Sequence, residues 1–233
     1  GSQAPEVHLR SSSDVHAANG DVYVMKRFFD LVVASGALLL LSPLLLVLAM
    51  LVKLGDGGAV LYRGPRVGLG GRSFRMCKFR TMLERADALG GSSTPADDPR
   101  VTPIGRWLRR YKLDELPQLF NVCIGDMSLV GPRPEVQQYV DLYTDEECAI
   151  LAVRPGLTDW ASLWNIDEGA LLQGSPDPDK TYLETIRPVK IRLQLEYVRR
   201  RSFRTDLQIL RHTLVALVGG KRSHGVMFVP EKG

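Results

Sequence analysis

Residues 31–52 read LVVASGALLLLSPLLLVLAMLV, and this uncharged apolar stretch decides the fold. An apolar run of about 20 residues is typical of a helix that crosses a membrane. Pro43 lies near its centre, and proline removes a backbone donor, so it kinks or breaks a helix. Each half is then too short to cross a hydrocarbon core of about 30 Å. The hydroxyl of Ser42 is placed to bond the carbonyl that Pro43 frees.

Both flanks of the run are basic. Lys26 and Arg27 precede it, and Lys53, Arg63 and Arg66 follow it. Because basic residues mark the cytoplasmic side of short loops, this pattern favours a re-entrant helix-break-helix with both ends on one side of the membrane. A kinked helix that spans the membrane, with its short N-terminal arm outside, explains the run equally well. The residues alone leave both paths open.

The rest of the chain has the composition of one soluble domain. The protein has 233 residues and a net charge of +4. We divide it into an arm at 1–22 with an expression-tag remnant at Gly1-Ser2, a membrane element at 23–54, a domain at 55–220 and a tail at 221–233. A basic chain with a membrane element favours an anionic lipid surface or phosphate-bearing substrates over nucleic acid.

The cysteines and histidines indicate neither a disulfide framework nor a zinc site. The cysteines form no C-x-x-C pair, and their odd number points to a reducing compartment. The histidines are scattered without ligand spacing. These residues are Cys77, Cys123, Cys148, His8, His16, His212 and His224.

The domain is predicted to be α+β, mostly helical with a small β-hairpin and interfacial amphipathic helices. The hairpin covers Arg66–Arg80 and turns at Gly70-Gly71. A basic helix with Trp107 follows from Thr102 to Leu116, and it suits either a membrane surface or a solvated face. Further helices are predicted at 136–153, 181–201 and 202–218, with a long loop at 163–180.

The residues that carry chemistry concentrate between Arg109 and Glu135. Asp114 and Glu115 are adjacent carboxylates among arginines and a lysine. A carboxylate among cations stays ionised, so it can act as a nucleophile toward phosphorus or as a magnesium ligand. An ordinary charged helix surface has the same pattern, and the pair alone does not separate these interpretations.

Basic residues in constrained positions are candidates for binding phosphate. Arg133 lies between two prolines in Gly131–Pro134, which favours a fixed, bidentate phosphate contact. Lys78 and Arg80 alternate with Phe79, so they are predicted to share one face of a strand. A rigid turn and a solvated strand face are the structural alternatives.

Taken in chain order, several segments resemble the bacterial sugar transferases, the monotopic phosphoglycosyl transferases that begin glycan assembly on polyprenyl phosphate. The resemblance covers Lys26–Trp160. Its segments are KRFFDLVVA with the later SP and LVKL, RVGLGGRSFRMCKFRTM, LRRYKLDELPQLFNVCIGDMSLVGPRPE and VRPGLTDWA. The family's Ser-Pro break makes the membrane helix re-entrant, so the resemblance favours that path for Ser42-Pro43.

The resemblance implies transfer of a phosphosugar from a UDP-sugar to undecaprenyl phosphate, with undecaprenyl-diphosphate-sugar and UMP as products. Asp114 then attacks the sugar-bearing phosphate and carries a covalent intermediate, and Asp114 and Glu115 hold Mg²⁺. The expected location is the cytoplasmic face of a bacterial inner membrane, in contact with lipid and not nucleic acid, and a homo-oligomer is left open. The expected phosphate-binding residues are Lys78, Arg80, Arg109, Arg133 and Arg154.

Two features depart from the family pattern. Asp159 stands where the family often has glycine, and Ser162–Lys180 differs from the short loop of small members. The identity of the sugar therefore does not follow from the resemblance. A non-enzymatic membrane anchor and a membrane-associated phosphohydrolase with the same aspartyl chemistry are the alternative functions.

Overall fold

A computed structural model describes residues 12–84, 86, 93–165 and 167–218, with side chains from Tyr23 onward. Within these residues the fold is mostly helical, as predicted, and has two small sheets, of which the hairpin alone was predicted. The helices are α1 Ser12–Asp56, α2 Pro103–Arg110, α3 Gln118–Ile124, α4 Gln137–Val140, α5 Trp160–Trp164, α6 Glu168–Leu172, α7 Pro178–Thr181, α8 Arg187–Arg200 and α9 Phe203–Val218. The strands are β1 Leu61–Val67, β2 Ser73–Phe79, β3 Ser128–Val130 and β4 Gly156–Thr158.

Helix α1 carries the apolar run and continues through Pro43. Ser42 Oγ donates to the carbonyl of Leu39 at 2.8 Å, which is the carbonyl that the missing N–H of residue 43 leaves free. The predicted break therefore does not interrupt the helix. Within the described residues, Tyr23–Asp56 is the one helix long and apolar enough to cross a membrane by length and composition. The helix begins at Ser12, inside the predicted arm, while the tail at 221–233 lies outside the described residues.

Both halves of α1 pack on the same domain. In its first half, Ala34 is buried against α3, and Asp30 accepts hydrogen bonds from Ser128 Oγ at 2.7 Å and from the backbone N–H of Leu129. In its second half, Leu48 is buried in a cluster with β2 and α2. Between the halves, Leu39 and Leu40 are each 79% exposed. The helix thus lies against the domain near both ends and leaves its middle uncovered.

The hairpin prediction is confirmed. Strands β1 and β2 pair antiparallel, with Leu61 opposite Phe79. The chain turns at Gly70 and Gly71, whose φ angles of 64° and 76° lie in the left-handed region that favours glycine. The first strand is longer than predicted, since β1 begins at Leu61 rather than at Arg66.

The basic helix is shorter than predicted. Thr102 caps it by accepting from the N–H of Gly105 at 3.0 Å, as the sequence indicated. It ends at Arg110 rather than at residue 116, because Lys112 has a left-handed backbone with φ of 57° and cannot continue a right-handed helix. Residues 113–115 then form a separate 3₁₀ turn, so the two adjacent carboxylates do not lie on a helix.

The predicted helix at 136–153 is wrong. Its residues form the short α4 and a 3₁₀ segment, Glu147–Ala152. The reason is local: the N–H of Thr144 donates to Glu147 Oε2 at 3.0 Å, and the N–H of Glu147 donates to Thr144 Oγ1 at 3.3 Å. This reciprocal pair is a capping box, which starts a new helical segment. The T-x-x-E spacing was visible in the sequence.

The C-terminal part follows the predicted order with more helix. Helices α8 and α9 confirm the predictions at 181–201 and 202–218, and a π-helical turn at Tyr182–Ile186 precedes α8. The segment predicted as a loop at 163–180 contains the end of α5, all of α6 and most of α7.

A short parallel pair, β3 with β4, was not predicted. Its strands have three residues each, too few for a periodic signal, and pair Ser128 with Gly156. Just beyond β3, the backbones of Gly131 and Gly156 come so close that a Cβ on Gly156 would lie 2.0 Å from the nitrogen of Gly131. This contact joins the Gly131–Pro134 loop to β4, the strand that leads into α5.

Candidate active site

Asp114 is a buried carboxylate with an unsatisfied oxygen. It lies in the 3₁₀ turn directly after the strained Lys112 and is 6% exposed. Within the described part of the chain, its Oδ1 has no hydrogen-bond partner. Burial, followed by the charge of Glu115, raises the pKa of Asp114, although Lys78 and Arg109 oppose the rise. Such an oxygen is poised to bind a proton, a cation or an electrophile.

Glu115, next in the chain, is held by two cations. Arg133 donates to it from both terminal nitrogens, Nη1 to Oε2 at 3.0 Å and Nη2 to Oε1. Lys78 Nζ lies 3.1 Å from Oε1. Burial alone would raise the pKa of Glu115, but Arg133 and Lys78 hold it well below its ordinary range. The structure therefore brings together residues predicted from three separate segments.

The backbone of Arg133 is fixed from both sides. Its N–H donates to Asp159 Oδ2 at 3.2 Å, and its carbonyl accepts from Gln194 Nε2 at 3.2 Å. Asp159 is fully buried, and its Oδ1 accepts from the N–H of Ser162 at 2.7 Å as the cap of α5. The departure at Asp159 thus has a structural role, since its carboxylate positions the Arg133 loop.

The remaining predicted cations divide into two groups. Arg109 belongs to the site: its Nε donates to Thr81 Oγ1 at 2.9 Å, and burial lowers its pKa while Asp114 counteracts that effect. Arg80 is directed away, with its guanidinium bound to Asp56 and to backbone carbonyls. Arg154 lies over the ring of Tyr23 at 5.5 Å. These contacts tie Arg80 and Arg154 to α1, at Asp56 and Tyr23, rather than to Glu115.

Lys190 and Gln194 are site residues that the sequence reasoning missed. Lys190 pairs with Glu135, and Tyr182 donates its hydroxyl to Glu135 Oε1 at 2.7 Å. Burial alone would lower the pKa of Lys190, but Glu135 raises it. A signal was present: Lys190 and Gln194 occur four residues apart among apolar residues of a helix and are both buried. Polar residues on a buried helical stripe indicate a network or a site.

A cleft of about 1100 Å³ opens beside this cluster. Its polar end contains Glu115, Arg133 and Lys190. Its walls are mostly apolar and come from α1, α2 and α9. The apolar lining includes Phe29, Val33, Trp107, Leu207, Leu210 and Leu214. This shape suits an amphiphilic ligand, with an anionic head at the cations and a hydrocarbon tail along the helices.

The donor set fits a magnesium ion only in part. Across the described residues, no group of three or more acidic, histidine or cysteine side chains is placed to hold a metal. Asp114 Oδ1 is an unpartnered carboxylate oxygen and fits as a ligand. Both oxygens of Glu115 are already bound by Arg133 and Lys78. Magnesium takes few carboxylates and fills its shell with water and substrate phosphates, so Asp114 is the residue that suits it.

Comparison with known proteins gives a consistent match over most of the chain. The family model described as bacterial sugar transferase matches residues 22–220. The exopolysaccharide production protein ExoY of Rhizobium meliloti is 38% identical over 214 residues, which cover 85% of this chain and 88% of ExoY. The UDP-glucose:undecaprenyl-phosphate glucose-1-phosphate transferase of Caulobacter vibrioides is 38% identical, over 84% of this chain and 71% of its own.

One further relative is much longer than this chain. The undecaprenyl-phosphate glucose phosphotransferase of Komagataeibacter xylinus is 41% identical over 196 residues. These residues cover 81% of this chain but 35% of that protein.

Proposed function

The chain belongs to the bacterial sugar transferase family, and we propose that it is an undecaprenyl-phosphate sugar-1-phosphate transferase. It moves a phosphosugar from a UDP-sugar to undecaprenyl phosphate and releases UMP, as the first membrane step of glycan assembly. The names of its relatives supply the classes of donor and acceptor. One observation carries the proposal: the buried, unsatisfied carboxylate of Asp114 is adjacent in the chain to Glu115, which lies with Arg133 at the polar end of an apolar cleft.

The proposed reaction has two half-steps at Asp114. Its Oδ1 attacks the phosphorus that bears the sugar, a new P–O bond forms, and the P–O bond to UMP breaks. An oxygen of undecaprenyl phosphate then attacks the same phosphorus and releases the carboxylate. Burial raises the pKa of Asp114, and nearby positive charge opposes this rise and so favours the ionised, nucleophilic carboxylate. Arg109 and Lys78 supply such charge.

Arg133 is the proposed phosphate ligand. Its pairing with Glu115 uses two N–H groups of a guanidinium that has five, so further donors remain for a phosphate. Glu115 and Asp159 then orient the arginine, one through the side chain and one through the backbone. Mg²⁺, implied for Asp114 and Glu115, fits Asp114 and would offset charge on the phosphates. Glu115 would join such a site only by releasing Arg133 or Lys78.

We place the domain on the cytoplasmic face of the inner membrane, with α1 re-entrant. The support is geometric: Asp30 and Leu48, on opposite sides of Pro43, both contact the same domain. If α1 crossed the bilayer, one of these two residues would lie on the far side of the membrane and could not contact the domain. Cysteine labelling on either side of residues 31–52 checks this, and a periplasmic N-terminus would overturn re-entry.

The proposed function is tested by UMP release from a panel of UDP-sugars. Purified protein in lipid nanodiscs should release UMP continuously only when undecaprenyl phosphate is present. A non-enzymatic membrane anchor would release none with any donor. A phosphohydrolase would release UMP continuously without the acceptor. Either result would overturn the proposal.

A further inference from the structure

The short helices α5 and α6 form a wall of the cleft whose ligand is unassigned. Trp164, Asn165 and Glu168 all line the same cleft as Arg133 and Lys190, and Glu168 lies within electrostatic range of both cations. They lie in the segment that departs from the family pattern, between the cap of α5 at Asp159 and the start of α6. Their position next to the proposed phosphate ligand makes them neighbours of whatever the phosphate carries.

Asn165 presents an unused hydrogen-bond donor in this wall. It ends α5, and its Nδ2 is buried with no partner anywhere in the described chain. Buried amides almost always find a partner, so an unsatisfied one beside a cleft indicates a missing ligand or water.

Glu168 presents an unused acceptor in the same wall. It is the first residue of α6, whose cap is Asp167. Glu168 is close enough to Arg133 and Lys190 to interact electrostatically with both. Among the contacts of the described residues, however, it forms no ion pair and no hydrogen bond. Its carboxylate therefore borders the space in front of the two cations without closing it.

Building on the proposed function, we propose that Trp164, Asn165 and Glu168 form the subsite for the donor's sugar, and that this subsite takes an uncharged sugar. The carboxylate of Glu168 accepts hydrogen bonds from sugar hydroxyls, and the amide of Asn165 donates to a hydroxyl or acetamido oxygen. Trp164 covers an apolar face of the ring. A uronic acid would bring a second carboxylate against Glu168, and like charges in a confined cleft repel.

The test compares donors across matched variants of the full chain in nanodiscs. The donors are UDP-glucose, UDP-galactose, UDP-N-acetylglucosamine, UDP-N-acetylgalactosamine and UDP-glucuronic acid. Glu168→Gln should lower kcat/KM for the preferred neutral donor by about tenfold or more. It should also reduce the ratio of kcat/KM for that donor to kcat/KM for UDP-glucuronic acid. Asn165→Asp should lower kcat/KM for the preferred neutral donor without gaining activity on UDP-glucuronic acid. Glu184→Gln is the control, since Glu184 is 65% exposed and pairs with Lys180.

Affinity for UMP, measured by calorimetry, distinguishes a loss of sugar recognition from a general loss of folding. The affinity should be unchanged in Glu168→Gln and Asn165→Asp, because UMP lacks the sugar that is transferred. An active wild type whose donor preference is the same in both variants would overturn the sugar subsite and leave the proposed function standing. A parallel loss of UMP affinity and activity in both variants would also overturn it. A wild type that releases no UMP from any donor would overturn the proposed function, and the subsite with it.

Discussion

Asp114 and Asp159 are both buried aspartates, yet their surroundings differ completely. Asp159 accepts four hydrogen bonds, from the N–H and Oγ of Ser162, the N–H of Arg133 and Nε2 of Gln194. Asp114 keeps Oδ1 without any partner in the described residues. The first carboxylate is satisfied and therefore structural. The second is held in an unfavourable environment, which is the condition in which a carboxylate reacts.

The largest effect is expected from Asp114→Asn. An amide of almost the same shape is a very poor nucleophile, so turnover should be abolished while the fold survives. Without acceptor, wild-type protein should release at most about one UMP per site and carry the phosphosugar mass on the peptide with Asp114. Asp141→Asn is the control, because Asp141 is exposed and bonds Gln137. If kinetics required donor and acceptor bound together and no adduct formed, Asp114 would be a metal ligand or base.

Arg133→Lys tests the residue whose backbone Asp159 holds and whose side chain binds Glu115, the neighbour of Asp114 in the chain. Lysine keeps the charge but cannot hold Glu115 with two nitrogens while it contacts phosphate. One charge-assisted pair contributes about 1.5–3 kcal/mol, so we expect a loss of about ten- to a hundredfold in kcat/KM. Arg199→Lys serves as the control, since Arg199 forms an exposed pair with Glu146. Unchanged kinetics would mean that Arg133 only shapes its loop.

Asp159→Asn should act on stability more than on chemistry. In either orientation of the amide, an NH₂ group faces donors, either those of Ser162 or those of Arg133 and Gln194. We expect a loss of about 1–3 kcal/mol in unfolding free energy and a several-fold fall in kcat, with little change in KM. Asp177→Asn should be nearly neutral, since Asp177 caps α7 and asparagine caps equally well. If Asp159→Asn and Asp177→Asn lowered the unfolding free energy equally, Asp159 would have no structural role beyond that of an ordinary helix cap.

The pH dependence of stability gives the smallest effect. Burial, with the charge of Glu115, raises the pKa of Asp114 above its ordinary 3.8, so the folded chain binds this proton more tightly than the unfolded chain. The unfolding free energy of wild type should therefore fall relative to Asp114→Asn as the pH rises from about 4 through the raised pKa. Urea unfolding of both proteins at pH 5 and pH 8 measures this. If the difference in unfolding free energy between the two proteins were the same at pH 5 and pH 8, the Asp114 carboxylate would not be destabilised by burial.

The sequence singled out the candidate site residues more readily than the residues that hold them in place. Asp114, Glu115 and Arg133 stood out because charge and proline are local signals. The position of Arg133 depends on Gln194, which lies 61 positions later in the chain, and no local pattern encodes that contact. The turn at Lys112 was missed for a related reason, since a left-handed lysine is imposed by its surroundings rather than by its own preference.

The close approach of Gly131 and Gly156 limits how this protein can change. A side chain at Gly156 would collide with the backbone of Gly131, and one at Gly131 would lie 2.4 Å from the carbonyl oxygen of Arg154. Because each obstacle is backbone, no second substitution elsewhere relieves the clash. In a saturation library, both positions should accept glycine alone, and double variants should show no mutual rescue. The loop that carries Arg133 can therefore accept substitutions on either side of the Gly131–Gly156 contact, but not at the contact itself.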